Sequence, residues 1–269
     1  RQIRSANRFT QSQRVGNTIK SVSRTHRLEL IRKRKLGEIS MSEVEVVYSE
    51  ERWKLLREKR AMAIAIIKAL SSSTIYSIVH GSVARGDVSE NSDIDVFVIN
   101  PVPPLLVELA LERAGYKAKW KEIVQATPSS TPKAYIYLDD KGLLVVSLPL
   151  GTCSKTEREF YKWGGEASLE DLEKDRRVPG VDKRLMLIEP TPTGHKESPV
   201  VGRETYVAKV LNISVETVLE RVRVLTRRRE HGRTGVFIKK VIDASTPIEE
   251  AVMKLSEENQ YFRRKIYGL

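Results

Sequence analysis

The residues of this chain whose types and spacing bear most directly on chemistry fall in one short stretch, His80-Gly81-Ser82-Val83-Ala84-Arg85-Gly86 followed by Asp93-Ile94-Asp95. Gly81 removes a side chain where backbone amides approach a phosphate, and Ser82 adds a hydroxyl donor toward the same oxygens. On a strand, residues two apart share a face, so Asp93 and Asp95 present paired carboxylates about 6–7 Å apart, a pair suited to magnesium or manganese. Arg85 either contacts phosphate or holds the loop, while Asn91 and Ser92 shape the turn into the strand. A Gly-Ser pair alone is a common turn and Asp-x-Asp alone a common strand start. In this order, each beside a strand, they describe a phosphate cradle next to carboxylates that bind metal, the requirements of in-line phosphoryl chemistry.

The flanking text supplies the elements that would position them. Ser49 to Leu70 carries Trp53, Leu56, Met62, Ile64, Ile67 and Leu70 at helical spacing behind an N-cap serine, which predicts one long amphipathic helix. Strands are predicted at Thr74 to His80 and Asp93 to Ile99, and a helix from the prolines at 101, 103 and 104 through Ala114. Further strands are predicted at Tyr116 to Gln125, Ala134 to Leu138 and Leu143 to Leu148, the last two joined by the turn Asp139-Asp140-Lys141-Gly142. Together these give an α+β class with a mixed sheet and helices packed on it.

This stretch resembles the DNA polymerase beta-type nucleotidyltransferases, whose motif is a Gly-Ser turn, an Ala-Arg-Gly continuation and an Asp-hydrophobic-Asp strand. Gly81, Ser82, Ala84, Arg85, Gly86, Asp93 and Asp95 stand in the matching places. The match is similar to the minimal nucleotidyltransferases of archaea and bacteria, and to the opening motif of archaeal CCA-adding enzymes. It covers about residues 50 to 150. The resemblance implies transfer of a nucleoside monophosphate from an NTP with Mg2+ or Mn2+, with Asp93 and Asp95 catalytic and metal-binding, and Gly81, Ser82 and Arg85 on the nucleotide. It also implies a third carboxylate on a later strand, which helps bind metal and activate the attacking hydroxyl. On the strand Leu143 to Pro149 that position falls on Val146, which is not acidic. The substitutes are Asp139 or Asp140 in another register, or Glu157, Glu159 or Glu189 from the second half.

Beyond Cys153 the text changes. A short helix starts at Ser168 with a Ser-x-x-Asp cap to Asp171, a strand is predicted at Arg184 to Ile188, and Glu189 to Gly202 reads as a loop in which His195 faces solvent. A helix holding Val207, Val210 and Leu211, a turn at Asn212-Ile213 and a helix capped by Ser214 form a helix-turn-helix pattern. The turn His231 to Gly235 and a strand Val236 to Val241 resemble a wing, and a last helix is predicted at Pro247 to Ile266. Residues 221 to 240 hold eight basic residues against one glutamate, a net of +7. Arg227, Arg228, Arg229, Arg233, Lys239 and Lys240 are therefore candidate contacts to an RNA or DNA backbone. The alternative is a small helical domain with a solvated basic face. The expected organisation is a basic extension at 1–40, a nucleotidyltransferase-like domain at 41–152, a connecting segment at 153–201, and a smaller, mainly helical, winged-helix-like domain at 202–269.

Composition bounds these readings. The net charge is +12, but residues 1 to 40 alone carry eleven basic against two acidic residues. That extension is either an arm that touches phosphates or a stretch upstream of a start at Met41. No run of about 18 apolar residues exists, so no membrane span is expected and a cytoplasmic setting is. One cysteine excludes an internal disulfide and a cysteine-cluster zinc site, four histidines argue against a histidine-rich metal site, and Cys153 reads as a buried small residue. Two function classes remain: a transferase acting on RNA, a protein hydroxyl or a small molecule, and a catalytically degenerate nucleotide- or nucleic-acid-binding module. The minimal family members also raise a role beside a partner protein.

Overall fold

The computed structural model describes residues 43–232 and 235–268. The basic extension, the Met41 start and Arg233 lie outside the described residues. The larger sheet has the order β11-β4-β5-β6-β3-β2-β7. Its strands are β2 (Ser77–His80), β3 (Ile94–Val98), β4 (Trp120–Gln125), β5 (Lys133–Tyr137), β6 (Leu144–Pro149), β7 (Glu166–Ala167) and β11 (Ile238–Asp243). Only the β3–β6 pairing is parallel, so the expected mixed α+β architecture is what the chain adopts.

One face of this sheet carries the main core. Val79, Val96, Ile123, Ala134, Ile136, Val146 and Leu148 are buried there with α1 (Glu50–Ser71), α3 (Pro104–Arg113) and α8 (Ile248–Glu258). Helix α1 starts behind Ser49, whose hydroxyl accepts from the Arg52 amide, and it buries Leu56, Ala63, Ile66, Ile67 and Leu70. The buried stripe is rotated from the expected one: Met62 is half exposed, while Lys59 and Arg60 are buried. Both cations tie α1 to backbone near the candidate site. Lys59 Nζ donates to Ser92 O at 2.7 Å, just before Asp93. Arg60 donates to Val83 O, Ala84 O and Arg176 O at 2.9–3.2 Å, which holds the turn after Gly81-Ser82 against the helix.

The second half holds elements that local periodicity revealed only in part. Helix α4 (Lys155–Gly164) starts with a capping box from Ser154 and Glu157. The strand expected at Arg184 to Ile188 is present as the start of β9 (Met186–Thr191), and the stretch read as a loop from Glu189 supplies the rest of β9 and β10 (Gly194–Pro199), a hairpin completed by β1 (Val44–Val47) and β8 (Gly180–Val181) in the order β1-β10-β9-β8. His195 is 1% exposed there rather than solvent-facing. Its Nδ1 meets Tyr48 Oη at 2.6 Å and its Nε2 meets Glu197 Oε1 at 3.0 Å, so it pins the chain entering α1 to β10. Cys153 is half-buried, and partial burial raises its thiol above the usual range.

The expected helix-turn-helix pattern is present as α6 (Glu204–Leu211) and α7 (Val215–His231). Asn212 takes the left-handed conformation at φ +50° between them, and Ser214 caps α7. The expected wing strand behaves differently. It is β11, and it pairs antiparallel with β4 at the edge of the larger sheet, Val241 opposite Glu122. The last helix is two, α8 and α9 (Gln260–Tyr267), because Asn259 ends one and caps the next with its side chain. Ile248, Ala251, Leu255 and Phe262 of these helices join the main core. The larger sheet and its core thus draw on residues from the segment assigned to a separate domain at 202–269. Among the described residues no helix is long and apolar enough to cross a membrane.

Candidate active site

Strand β2 ends at His80, and Gly81 turns the chain with φ +83°, a conformation that costs a side-chain-bearing residue more than glycine. A Cβ at Gly81 would meet nothing within 4 Å, so open space lies beside this backbone. The short helix α2 (Ser82–Arg85) follows and closes at Gly86, φ +103°. Of the two expectations for Arg85, the structure realises loop-holding. Its guanidinium is buried and donates to both Asp87 oxygens (2.9 and 2.8 Å) and to Gly164 O (2.5 Å).

Asp95 lies opposite His80 on β2 and opposite Val145 on parallel β6. Asp93 precedes β3 on the same side and is exposed, whereas the Asp95 side chain is 26% exposed. Burial pushes the Asp95 carboxyl up to about 6; Ser147 opposes this by hydrogen bonding, Asp93 adds to it by charge, and Lys133 opposes it. His80 Nδ1 is 3.9 Å from Asp95 Oδ2, but burial, with Arg85, Lys133, Arg221 and Lys183 nearby, lowers its imidazole to about 3. At neutral pH the two are therefore a neutral ring beside a carboxylate, not an ion pair. Gly164 makes room for that ring, since a Cβ there would overlap His80 Nε2.

The expected third-acid position requires correction by one residue. Val146 is fully buried on the helix-covered face, paired with Val96. A one-residue step along a strand reverses the face, so Ser147 is the β6 residue that meets Asp95, its Oγ donating to Asp95 Oδ1 at 3.0 Å. None of the five substitute acids joins the pair. Asp139 accepts from the Leu143 and Leu144 amides, Asp140 pairs with Lys119, Glu157 closes the α4 capping box, Glu159 accepts from Ser214 and Thr217, and Glu189 meets Tyr206. Among the described residues no group of three or more His, Cys, Asp or Glu side chains is placed to hold a metal ion.

The fit for magnesium rests on the pair itself. Asp93 raises the cost of ionising Asp95, and neither has a lysine or arginine ion-pair partner among the described residues. Two adjacent, uncompensated carboxylates with space for water and phosphate oxygens match how Mg2+ is held, by one or two carboxylates together with substrate phosphates.

Two cations that sequence reading left outside the site face it. Lys133, on the same face of β5 as Asp95, donates to Tyr161 Oη at 2.9 Å and lies 4.8 Å from that ring's centroid. Partial burial lowers its ammonium from the usual lysine range. Arg221 of α7 sits 4.8 Å over the Phe160 ring, its Nε buried without a hydrogen-bond partner. Neither has a carboxylate ion-pair partner among the described residues, and both act electrostatically on His80. Only tertiary contact marks them, since nothing local distinguishes Lys133 in its strand or Arg221 in its helix. The predicted basic cluster, by contrast, is distributed over two elements. Arg227, Arg228 and Arg229 are exposed on α7, whereas Lys239 and Lys240 lie on β11, with Lys239 paired to Glu122 at 3.2 Å.

Residues 62–146 match the family model described as a nucleotidyltransferase domain, and this span includes Gly81, Ser82, Asp93 and Asp95. No curated protein matches the chain. A solved structure described as "Structural Plasticity of Cid1 Provides a Basis for its RNA Terminal Uridylyl Transferase Activity" matches at 18% identity with a TM-score of 0.31. That match covers 52% of this chain and 38% of the other, well under half the length of that relative. Over residues 62–146 the chain therefore carries a segment that matches a nucleotidyltransferase domain.

Proposed function

We propose that this protein transfers a nucleoside monophosphate from an NTP to an acceptor hydroxyl, with Mg2+ or Mn2+ at Asp93 and Asp95, and that it does so in the cytoplasm. The observation that carries the reading is the uncompensated carboxylate pair one strand away from the open Gly81-Ser82 turn. In the reaction the acceptor oxygen bonds to the α-phosphorus, the bond from that phosphorus to the β-phosphate oxygen breaks, pyrophosphate leaves, and the acceptor proton passes to water. Magnesium, when bound, supplies neutralisation of the charge on the phosphates. Ser82 holds a phosphate oxygen through its hydroxyl, and Gly81, whose own amide donates to Gly165 O at 2.9 Å, leaves the approach open. Lys133 and Arg221 face the same space and offset phosphate charge, a place that suits their lack of acidic partners. The exposed arginines 227 to 229 of α7 offer a backbone contact to an RNA or DNA acceptor.

One observation favours a second reading, a nucleotide-binding module without catalysis: Ser147, not an acid, faces Asp95. The two readings separate in one experiment. The chain is incubated with each α-labelled NTP, magnesium or manganese, and total RNA, and label is scored in RNA and in protein. Label that disappears in the Asp93→Ala/Asp95→Ala variant establishes transfer and its acceptor class. Absence of label, together with an NTP-induced rise in melting temperature that the same variant loses, establishes the binding module.

A further inference from the structure

The face of the larger sheet that carries Asp95 is covered at one end only. Over β2 and β3 it is closed by α4, where Tyr161 stacks on Phe97 with ring centroids 3.7 Å apart. Toward β4 and β11 no helix takes over among the described residues: Trp120, Tyr135 and Tyr137 are partly exposed and Val241 is 59% exposed, while the opposite face of the same strands is buried under helices. Sheet register places Asp95, Val145, Tyr137 and Trp120 in a single row across β3, β6, β5 and β4. The two rings at the end of that row stack on each other, centroids 4.5 Å apart and planes within 14°. Trp120 lies along the Gly142 turn, where a Cβ would come within 3.3 Å of the indole.

We propose that this row is the path of a single-stranded nucleic-acid acceptor, with its reacting end at Asp93 and Asp95 and an upstream base stacked on the Trp120–Tyr137 pair. The proposal rests on the transferase reading above and names the acceptor class for it. At about 4.8 Å per strand, the rings stand about 10–14 Å from Asp95. At about 3.4 Å per stacked nucleotide, that distance is about three to four nucleotides from the reacting end. An aromatic pair suits this occupant because stacking accepts any base. Of the neighbouring carboxylates, Glu122 is paired with Lys239 and Asp140 with Lys119, while Asp243, opposite Trp120, accepts from the Ser245 amide and hydroxyl. A half-exposed aromatic surface continuous with an uncompensated carboxylate pair is also more than strand pairing requires.

The test uses the full chain and 5′-fluorescein-labelled single-stranded RNA of two, four and eight nucleotides, read by anisotropy and by tryptophan quenching. The four- and eight-nucleotide strands are expected to bind, the dinucleotide to bind far more weakly. Trp120→Ala should weaken the eight-nucleotide strand at least about 5-fold, the lower end of one base stack, and Trp120→Phe should restore most of that affinity. Equal binding by wild type and Trp120→Ala, or quenching of Trp120 that saturates with mononucleotide alone, overturns the proposal. So does the absence of binding at every length, which would leave the patch to a protein segment. Magnesium-dependent NTP binding by the wild type is measured on the same preparation. If it is present while the strand ignores Trp120, only the acceptor path fails; if it is absent, the transferase reading fails with it.

Discussion

Arg60→Met tests whether a buried cation on α1 holds the Gly81-Ser82 turn in place. Arg60 is 3% exposed and donates to Val83 O, Ala84 O and Arg176 O, with a further contact to Asp175. Asp175 is 76% exposed, so that ion pair contributes less than about 1 kcal/mol. Ala84 O keeps a second donor in the Val178 amide. Val83 O and Arg176 O have Arg60 as their donor, and each buried acceptor left unpaired costs about 1–3 kcal/mol. Methionine fills most of the aliphatic stem, and removing a desolvated guanidinium, whose burial lowers its proton affinity, returns part of the cost. The net expectation is a loss of about 2–4 kcal/mol, equivalent to a melting-temperature drop of about 4–16 °C for a unit of this size. Asp175→Ala should cost under about 1 kcal/mol. Urea unfolding of both variants, with magnesium-dependent NTP binding measured alongside, checks the contrast; Arg60→Met should also weaken NTP binding because α2 loses its anchor. Equal costs for the two substitutions, or under 1 kcal/mol for Arg60→Met, would refute the assignment.

Ser147→Ala removes the donor to Asp95 Oδ1. A hydrogen bond to a charged group contributes about 1.5–3 kcal/mol, so Asp95 should rise by about one to two pH units from its present value near 6. The sign follows: a carboxyl already raised by burial favours the protonated form in the fold, so it lowers folding stability as pH rises through its folded value. The variant should extend that range upward, and the pH at which magnesium-supported NTP binding is half lost should move upward as well; identical profiles for the two proteins would dismiss the role given to Ser147. Replacing Arg227, Arg228 and Arg229 together by alanine should weaken nucleic-acid binding evenly across sequences. On the proposed backbone contact, the slope of log affinity against log salt should flatten by about two to three, and an unchanged slope would place the nucleic acid elsewhere.

What the sequence disclosed and what it hid divide along physical lines. Ser49, Ser168, Ser214 and Asn212 announce helix ends because caps act within three or four residues, and each sits where it was expected. The Gly81 turn and the strands around Asp93 and Asp95 were legible for the same reason, since left-handed φ and alternation are local. The third-acid position was misplaced by one residue because hydrophobic Val145-Val146 hides the alternation, and only pairing with β3 shows which side chain reaches Asp95. The β9–β10 hairpin carries prolines and a glycine that mimic a loop, and it exists through pairing with β1, about 150 residues earlier in the chain. Helix α4 had a readable signal in Ser154 and Glu157, the same capping box recognised at Ser168. Arg60, Lys133 and Arg221 had none, since a buried cation and a surface one look alike until the fold gives them neighbours.

The serine at position 147 also bears on how charge is balanced in the site. A third carboxylate at that place would put three negative charges within a few ångströms, which calls for two divalent ions or a retained proton. With a hydroxyl there, the formal charge of the carboxylate pair is two, the charge of a single magnesium ion. On the proposed reading the phosphates must then find their remaining compensation in the chain, and Lys133 and Arg221, both without acidic ion-pair partners among the described residues, stand on the side where they would be needed. The absent acid and the unpaired cations thus fit together as one arrangement. On that reading the site would bind an NTP with fewer metal ions, and it would depend on the approach of α7, which brings Arg221 over Phe160, as much as on the Asp-x-Asp strand.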